Sequence, residues 1–299
     1  TRRDRFKIMR TLKLQDNNLE EIKEECLRWY GAVILGSMEE SIRRELLEFC
    51  YSHYIRVYLS PDIPDILMQG TETMDLFDTP LLMCRNQGLS MEQRAAKRVL
   101  DIIVSGLGII VSSPIMLIIA IAVKAYDGGP VFYLQDRLTY QGKEFRIRKF
   151  RSMCVDSEKN GARLASKHDS RITPVGHVLR NLHLDELPQL FNVFMGDMSL
   201  VGPRPERDVI MQEYEQEIPE FHYRLKVKAG LTGYAQVYGK YNTTPYDKLK
   251  LDLFYIENYS FLLDIKLLFM TVKIFFQKEV SEGVDDNQKN ALKDSEDKK

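Results

Sequence analysis

Residues 102–123 contain no charged side chain over 22 consecutive positions, and this segment limits the fold more than any other feature. About 20 apolar residues in a helix suffice to cross the hydrocarbon core of a membrane. Ser112, Ser113 and Pro114 lie at the centre of the segment. Because proline removes a backbone donor and clashes with the preceding turn, the sequence predicts a membrane-embedded helix with a sharp bend at Ser113 and Pro114.

Basic residues lie on both sides of this segment, and positive charge marks the cytoplasmic side of a membrane helix. They are Arg94, Lys97 and Arg98 before it, and Lys124, Arg137, Lys143, Arg146, Arg148, Lys149 and Arg151 after it. A straight span would export one flank, whereas a helix that enters, bends and returns keeps both on one face. We therefore favour a re-entrant hairpin; a straight span and a buried core helix are the alternatives.

Two further segments differ from an ordinary globular pattern. Residues 261–276 are apolar apart from Asp264, Lys266 and Lys273, and 16 residues are short for a span. This pattern is typical of a helix lying in the membrane interface, although a helix packed in a protein core stays open. Residues 279–299 are polar and charged, which predicts a disordered tail.

The first 90 residues alternate short apolar runs with a helical pattern. Runs at 32–36 and 55–59 flank a helical stretch at 38–50, and a third run follows at 80–84. This order predicts a small βαβ unit with parallel pairing. No G-x-G-x-x-G follows the first run, so the sequence gives little support for nucleotide binding there.

Charge and cysteine content limit the classes of partner. Lys plus Arg number 42 and Asp plus Glu 43, a balance that does not indicate a nucleic-acid partner. The four cysteines are Cys26, Cys50, Cys84 and Cys154, without metal-type spacing. They favour reduced thiols over a zinc site or a disulfide.

Asp185 and Glu186 are adjacent carboxylates shortly before Pro188. Proline is favoured in the first turn of a helix, so the pair is predicted at a helix N-terminus. The predicted buried face of that helix comprises Leu187, Leu190, Phe191 and Phe194. Acidic residues also occur there as ordinary caps. Neighbouring side chains point about 100° apart, so one carboxylate could attack while the other holds a cation.

Arginines near this pair indicate a phosphate ligand. Arg180 lies five residues before Asp185, and Arg204 stands between Pro203 and Pro205 in a stiff loop. Arginine recognises phosphate oxygens through paired hydrogen bonds. We therefore expect Arg180 and Arg204 to bind phosphate, although an exposed turn also explains Arg204.

Residues 135–153 alternate basic and apolar side chains, which predicts a strand with one basic face. Such a face can bind the phosphates of a nucleotide or of lipid headgroups. Lys149 and Arg151 are the preferred candidates and Arg137 is a further one. A merely solvated face is the alternative for the others.

Taken in chain order, these motifs resemble those of the bacterial sugar transferase family, the monotopic phosphoglycosyl transferases that start polysaccharide assembly. The matching pieces are Lys97-Arg98-Val99-Leu100-Asp101, Ser113-Pro114, Gly129-Pro130-Val131-Phe132, Gln135-x-Arg137, Lys149-Phe150-Arg151-Ser152-Met153, Leu184-Asp185-Glu186-Leu187-Pro188-Gln189-Leu190 and Asp197-Met198-Ser199-Leu200-Val201-Gly202-Pro203-Arg204-Pro205. The resemblance covers roughly residues 94–277.

The resemblance implies transfer of a sugar 1-phosphate from a UDP-sugar to polyprenyl phosphate. In that reaction Asp185 attacks the β-phosphorus, releases UMP and holds the phosphosugar until the lipid phosphate accepts it. The resemblance further implies that Glu186 binds Mg²⁺ and that Arg180 and Arg204 neutralise phosphate charge, in keeping with covalent and metal-assisted catalysis.

The resemblance also implies the organisation of the chain. We expect an α+β monotopic membrane protein with a re-entrant helix hairpin and interfacial helices, preceded by part of a Rossmann-like α/β domain. The expected divisions are 1–90, 91–278 and a tail at 279–299. The expected location is the bacterial inner membrane with the catalytic domain on its cytoplasmic face, and a homodimer stays open.

Two other functions compete with this interpretation. A metal-dependent hydrolase of nucleotide-sugar diphosphates would use the same carboxylates without a lipid acceptor. A non-catalytic membrane assembly factor would use the first 90 residues to recruit partners.

Overall fold

The computed structural model describes residues 8–14, 18–28, 31–76, 79–84, 88–155, 169, 171–239 and 243–275. They belong to two compact units, Thr1–Asp65 and Ile66–Lys299. The two units divide after residue 65, and the expected domain boundary at residue 90 stays a prediction. The predicted tail at 279–299 lies outside the described residues.

The first unit is a small layer of helices and paired strands. It contains helix α1 (Leu19–Leu27), strand β1 (Val33–Leu35), helix α2 (Glu40–Ser52) and strand β2 (Val57–Leu59). Strands β1 and β2 pair in parallel, with Val33 opposite Val57. Ile22, Leu35 and Leu46 form its buried core. The predicted parallel βαβ pairing is confirmed for these two strands, and the Rossmann-like assignment stays a prediction.

The third predicted strand pairs differently from the expectation. Helix α3 (Ile63–Gln69) is followed by strands β3 (Glu72–Leu76) and β4 (Thr79–Met83), which form an antiparallel pair. The prediction that residues 80–84 extend a parallel unit was therefore wrong. A parallel partner requires a long crossover, whereas the neighbouring segment 72–76 can pair with β4 through a short connection.

The second unit begins with one long helix, α4 (Met91–Asp127), and an antiparallel hairpin of β5 (Phe132–Leu138) and β6 (Glu144–Phe150). The rest of its regular structure consists of α5 (Pro174–Asn181), α6 (Gln189–Met195), β7 (Ser199–Val201), α7 (Asp208–Glu217), β8 (Gly230–Thr232), α8 (Tyr234–Tyr238), α9 (Pro245–Glu257) and α10 (Phe261–Phe275). Short 3₁₀ helices occur at Tyr140–Gly142, Leu184–Glu186 and Pro219–Lys226. Strands β7 and β8 pair in parallel.

Helix α4 packs against this unit along much of its length. Near its start, the Arg98 guanidinium donates to the backbone carbonyls of Val193 and Phe194 at the end of α6. At Gly108 a Cβ atom would lie 3.2 Å from the Leu190 side chain, so glycine allows α6 to approach closely. In the second half, three side chains of α4 form a core with α5 and β6: Met116, Ile119 and Val123, with Phe150 and Leu179.

Pro114 lies inside α4 rather than between two helices. Proline has no amide hydrogen for the carbonyl four residues earlier, that of Ile110. The Ser113 hydroxyl donates to this Ile110 carbonyl at 2.8 Å, and the Ser112 hydroxyl donates to the Gly108 carbonyl at 2.6 Å. The serines therefore supply local donors where the proline lacks one. A helix can bend at proline while remaining helical, so the re-entrant hairpin stays a prediction.

The face of α4 turned away from the unit is apolar and exposed. It includes Val99, Ile103, Leu107, Ile110, Val111, Leu117, Ile118 and Ile121. Among the described residues, α4 is the one helix long and apolar enough to cross a membrane by length and composition. A contiguous exposed apolar surface of this kind marks a protein or membrane contact, and together with the length of α4 it indicates membrane association.

Helix α10 combines the two alternatives that the sequence left open. Asp264 and Leu267 are buried against the unit, whereas Phe261, Leu262, Phe269 and Val272 are exposed. One face therefore packs in the core while the other presents large apolar side chains to the outside. Contact of that outer face with lipid stays a prediction.

Candidate active site

Asp185 and Glu186 lie in the 3₁₀ helix Leu184–Glu186, one turn before α6. His183, just before this turn, has a positive φ of 53°, a conformation in which His occurs more often than most residues. The turn therefore changes direction at His183 and continues into α6. This places the pair at the start of a helical segment, as predicted.

The buried face of α6 differs in part from the prediction. Phe194 is 45% exposed, whereas Gln189, Asn192 and Val193 are buried. The Asn192 amide donates to the Arg146 carbonyl, and its oxygen accepts from the Arg148 backbone amide. Because these bonds turn a polar face of α6 toward β6, an assignment based on apolar residues alone was wrong for Phe194.

Glu186 is held between two cations from distant parts of the chain. Lys149 Nζ on β6 lies 2.6 Å from Glu186 Oε1, and Arg204 Nη2 lies 3.0 Å from the same oxygen. Burial opposes ionisation, but the charges of Arg204 and Lys149 outweigh it and hold the pKa of Glu186 well below its ordinary range. Glu186 is therefore a stable carboxylate whose charge is neutralised by its neighbours.

Asp185 has a different environment, although it is the adjacent residue. Burial and then the negative charge of Glu186 raise its pKa, while Lys149 and Arg180 oppose that rise. The backbone amide of Asp185 donates to its own carboxylate and also opposes the rise, and among the hydrogen bonds of the described residues none joins a side-chain donor to that carboxylate. A buried carboxylate without such bonds is poorly stabilised as an anion, and this favours reaction at an electrophile.

Arg204 projects from a loop whose backbone is fixed from several directions. The Arg224 guanidinium donates to the Arg204 carbonyl at 3.0 Å and forms an ion pair with Asp252 at 2.7 Å. A Cβ atom at Gly202 would lie 2.4 Å from the Lys228 carbonyl oxygen, so only glycine permits this backbone approach. The close approach at Gly202 therefore helps to hold the loop that carries Arg204.

The structure brings four of the candidate cations toward the carboxylates to different degrees. Lys149 and Arg204 contact Glu186 directly. Arg180 donates through Nε to the Ser152 hydroxyl at 3.0 Å, and its charge still acts on Asp185. Arg137 donates to the Pro205 carbonyl at 3.0 Å and so supports the loop that carries Arg204.

Arg151 lies apart from this group. Its guanidinium forms an ion pair with Asp127 at the end of α4 and donates to the Pro130 carbonyl. These contacts fix the segment between α4 and β5. In this structure the Arg151 guanidinium therefore binds Asp127 and the Pro130 carbonyl rather than the carboxylate pair.

Two side chains beside the site were not selected from the sequence. Lys248 on α9 is half-buried, and burial, followed by the charges of Arg224 and Arg204, lowers its pKa while Glu206 opposes this. Gln189 is buried at the start of α6. Neither residue type marks a ligand by itself: Lys248 is brought near the Arg204 loop by the fold, and Gln189 is set apart by its burial.

Glu186 is the side chain that would hold a divalent cation together with substrate phosphates, and this assignment stays a prediction. Among the residues that the structure describes, no group of three His, Cys, Asp or Glu side chains could hold a metal. Mg²⁺ is commonly bound by one or two carboxylates together with substrate phosphates. Since Lys149 and Arg204 both contact Oε1 of Glu186, its other oxygen is the atom suited to such binding.

Comparison with known proteins places this arrangement among related sequences. The family model described as bacterial sugar transferase matches residues 92–278. A protein of Aeromonas hydrophila, named UDP-N-acetylgalactosamine-undecaprenyl-phosphate N-acetylgalactosaminephosphotransferase, is 44% identical over 180 residues, which cover 59% of this chain and 43% of that protein. A protein of Klebsiella pneumoniae, named UDP-glucose:undecaprenyl-phosphate glucose-1-phosphate transferase, is 43% identical over 210 residues. These residues cover 69% of this chain and 43% of that protein.

A protein of the latter name from Xanthomonas campestris pv. campestris is 37% identical over 274 residues, which cover 89% of this chain and 55% of that protein. The chain therefore spans about half the length of these curated relatives. The family match includes both carboxylates and the two cations that contact Glu186. Because it extends over more than half of the chain, the chain belongs to the bacterial sugar transferase family.

Proposed function

We propose that this protein transfers a sugar 1-phosphate from a UDP-sugar to a polyprenyl phosphate, such as undecaprenyl phosphate, through a covalent intermediate on Asp185. The observation that carries the proposal is the contrast within the pair: Asp185 is buried without a side-chain donor, whereas Glu186 is neutralised by Lys149 and Arg204. Adjacent carboxylates can take different chemical roles only when their environments differ, as they do here. The names of the relatives support the substrate classes.

In the first step an oxygen of Asp185 forms a bond to the β-phosphorus of the UDP-sugar. The bond from that phosphorus to the bridging oxygen breaks, and UMP leaves with the bond electrons. Arg204 and Arg180 are placed to offset the charge of the phosphates, because positive groups in a partly buried site stabilise charge that develops in the transition state. Bound Mg²⁺, with Glu186 as its protein ligand, would supply further charge neutralisation at the phosphates.

In the second step an oxygen of the polyprenyl phosphate attacks the phosphorus of the intermediate. The acyl phosphate bond breaks, the Asp185 carboxylate is regenerated and the polyprenyl diphosphate sugar is released. Attack on a covalent intermediate divides one difficult transfer into two easier ones. The exposed apolar face of α4 supports access from a lipid surface, since the acceptor's chain needs an apolar environment.

The reaction is tested by following its products. Purified protein with a UDP-sugar, Mg²⁺ and undecaprenyl phosphate should release UMP and form a lipid-linked sugar, and omission of the lipid should limit release to about one UMP per protein. Continued release of UMP with free sugar phosphate would support the diphosphate hydrolase instead. Release of UDP would contradict the proposal. A screen of UDP-hexoses would identify the sugar.

We further propose that α4 enters the cytoplasmic leaflet of the bacterial inner membrane and returns, which keeps the catalytic unit on the cytoplasmic face. The native thiols Cys84 and Cys154 are exposed and lie on opposite sides of α4 in the chain. Two variants are made, each of which retains one of these thiols as its sole cysteine. In each variant a membrane-impermeant maleimide should label the thiol only after the membrane is permeabilised so that the reagent reaches the cytoplasmic face. Labelling of one thiol from each face would establish a straight span.

The pH dependence of the reaction should respond to Lys149. Asp185 must be ionised to attack, so activity is lost as the pH falls through its pKa, which lies above the ordinary value. Lys149 lowers that pKa, so Lys149→Met should raise it further and move the acid limb of the kcat profile to higher pH. Arg148→Met, on the neighbouring residue of β6, is the matched control and should leave the limb in place. An acid limb unmoved in Lys149→Met would refute this link.

A further inference from the structure

Gln189 has an amide that the fold leaves without a partner. Its side chain is 3% exposed, and within the described part of the chain its Nε2 is buried with no hydrogen bond. Burial of a polar group without a bond costs free energy, and such groups are uncommon in native proteins. A bound ligand that accepts a hydrogen bond would remove this cost.

The position of Gln189 relates it to the reacting carboxylate. The backbone is helical from the 3₁₀ turn into α6, with Leu187 N donating to the Leu184 carbonyl and Leu190 N to the Leu187 carbonyl. Gln189 is four residues after Asp185 and three after Glu186. Residues three and four apart on a helix are neighbours on its surface. Because those two backbone bonds join residues three apart, as in a 3₁₀ turn, Gln189 is aligned with Glu186 and follows Asp185 by little more than one turn.

The next polar residue of α6 is Asn192, and its contacts show which polar residue of this helix meets β6. Asn192, three residues after Gln189, bonds to the backbone of Arg146 and Arg148 on β6. Strand β6 continues to Lys149, which contacts Glu186. Along the chain Gln189 thus lies between the carboxylate pair and Asn192, and both Glu186 and Asn192, three residues to either side of it, bond to β6.

The other donors near the pair already have protein partners. Lys149 and Arg204 bind Glu186, and Arg180 donates to Ser152. A phosphoryl group carried by Asp185 brings non-bridging oxygens that accept hydrogen bonds. We propose that Gln189 is a further catalytic residue, whose Nε2 donates to a non-bridging oxygen of the phosphoryl group transferred through Asp185. This inference rests on the proposed function.

The test uses Gln189→Met, which keeps the length of the side chain and removes the amide. The ligand-free variant should have a Tm equal to or above that of the wild type, because a buried group without a bond has been replaced by an apolar one. The kcat for UMP release should fall about a hundredfold, the effect of removing one donor from developing charge. The KM for the UDP-sugar should change by less than about threefold, since a bond made in the transition state acts on kcat.

Asn192→Leu is the matched control, because it removes a neighbouring amide that is bonded to β6. It should lower the Tm, whereas Gln189→Met should not. Gln189→Glu keeps the shape but loses the donor and adds a charge, so it should lose at least as much kcat as Gln189→Met.

A lower Tm in Gln189→Met, or a kcat within about twofold of wild type, would overturn the inference and leave Gln189 a structural or neutral residue. The wild type and Asp185→Asn are measured alongside. If the wild type releases no UMP, or Asp185→Asn releases it normally, the proposed function fails instead.

Discussion

Asp185→Asn should abolish turnover, with a loss of about 10³-fold or more in UMP release, as is usual for removal of a nucleophile. An amide is a poor nucleophile toward phosphorus, and the substitution changes neither the size nor the shape of the side chain. Burial and the charge of Glu186 raise the pKa of Asp185, so the fold does not depend on its negative charge. We therefore expect the Tm of Asp185→Asn to equal or exceed that of the wild type at neutral pH.

The measurement is a single turnover with a UDP-sugar labelled in the sugar. Wild-type protein without lipid acceptor should retain label that hydroxylamine releases, the behaviour of an acyl phosphate, and Asp185→Asn should retain none. Glu186→Gln is the matched control: it should slow the reaction yet leave detectable covalent label, because the nucleophile is intact. Label retained by Asp185→Asn, or UMP released at the wild-type rate, would place the covalent chemistry on another residue.

Local sequence patterns predicted those features that depend on neighbouring residues. Alternation of side chains identified β6, short apolar runs identified the two parallel strands of the first unit, and Pro188 placed the carboxylates beside a helix start. These features follow from periodicity and from the fixed φ of proline. The adjacent carboxylates and the proline-flanked Arg204 were found for the same reason, since each is marked by its immediate neighbours.

Features that depend on distant partners were not predicted. The ion pair of Arg151 with Asp127, 24 residues away in the chain, was not predicted, and phosphate binding by Arg151 stays a prediction. No local pattern marks Gln189 in the sequence, because it is set apart only by the lack of a partner for its amide among the residues that the structure describes. The exposure of Phe194 likewise follows from the polar face that α6 turns toward β6. Sequence supplies the donors and acceptors, whereas tertiary packing decides which of them meet.

The largest loss of stability should follow Asp264→Ala, which breaks the buried ion pair between α4 and α10. Lys97 Nζ lies 2.6 Å from Asp264 Oδ2, and the Tyr255 hydroxyl donates to Asp264 Oδ1 at 2.7 Å. Asp264 is 1% exposed and Lys97 is 7% exposed, so the substitution removes the carboxylate that contacts a buried ammonium and leaves Asp101 as the buried carboxylate whose charge acts on Lys97. We expect the free energy of unfolding to fall by about 3–5 kcal/mol, measured by denaturation in detergent micelles.

A double variant separates the loss of the pair from the burial of a lone charge. Lys97→Met with Asp264→Leu should recover much of the lost stability, because an apolar pair of similar size can replace a buried ion pair. The control is Asp136→Ala, which breaks the exposed pair with Arg146 and should change the free energy of unfolding by less than about 1 kcal/mol. If the double variant were as unstable as Asp264→Ala, the uncompensated charge of Lys97 would not be the cause. Recovery would show that, in the contact between α4 and α10, either charged side chain is destabilising when the other is absent.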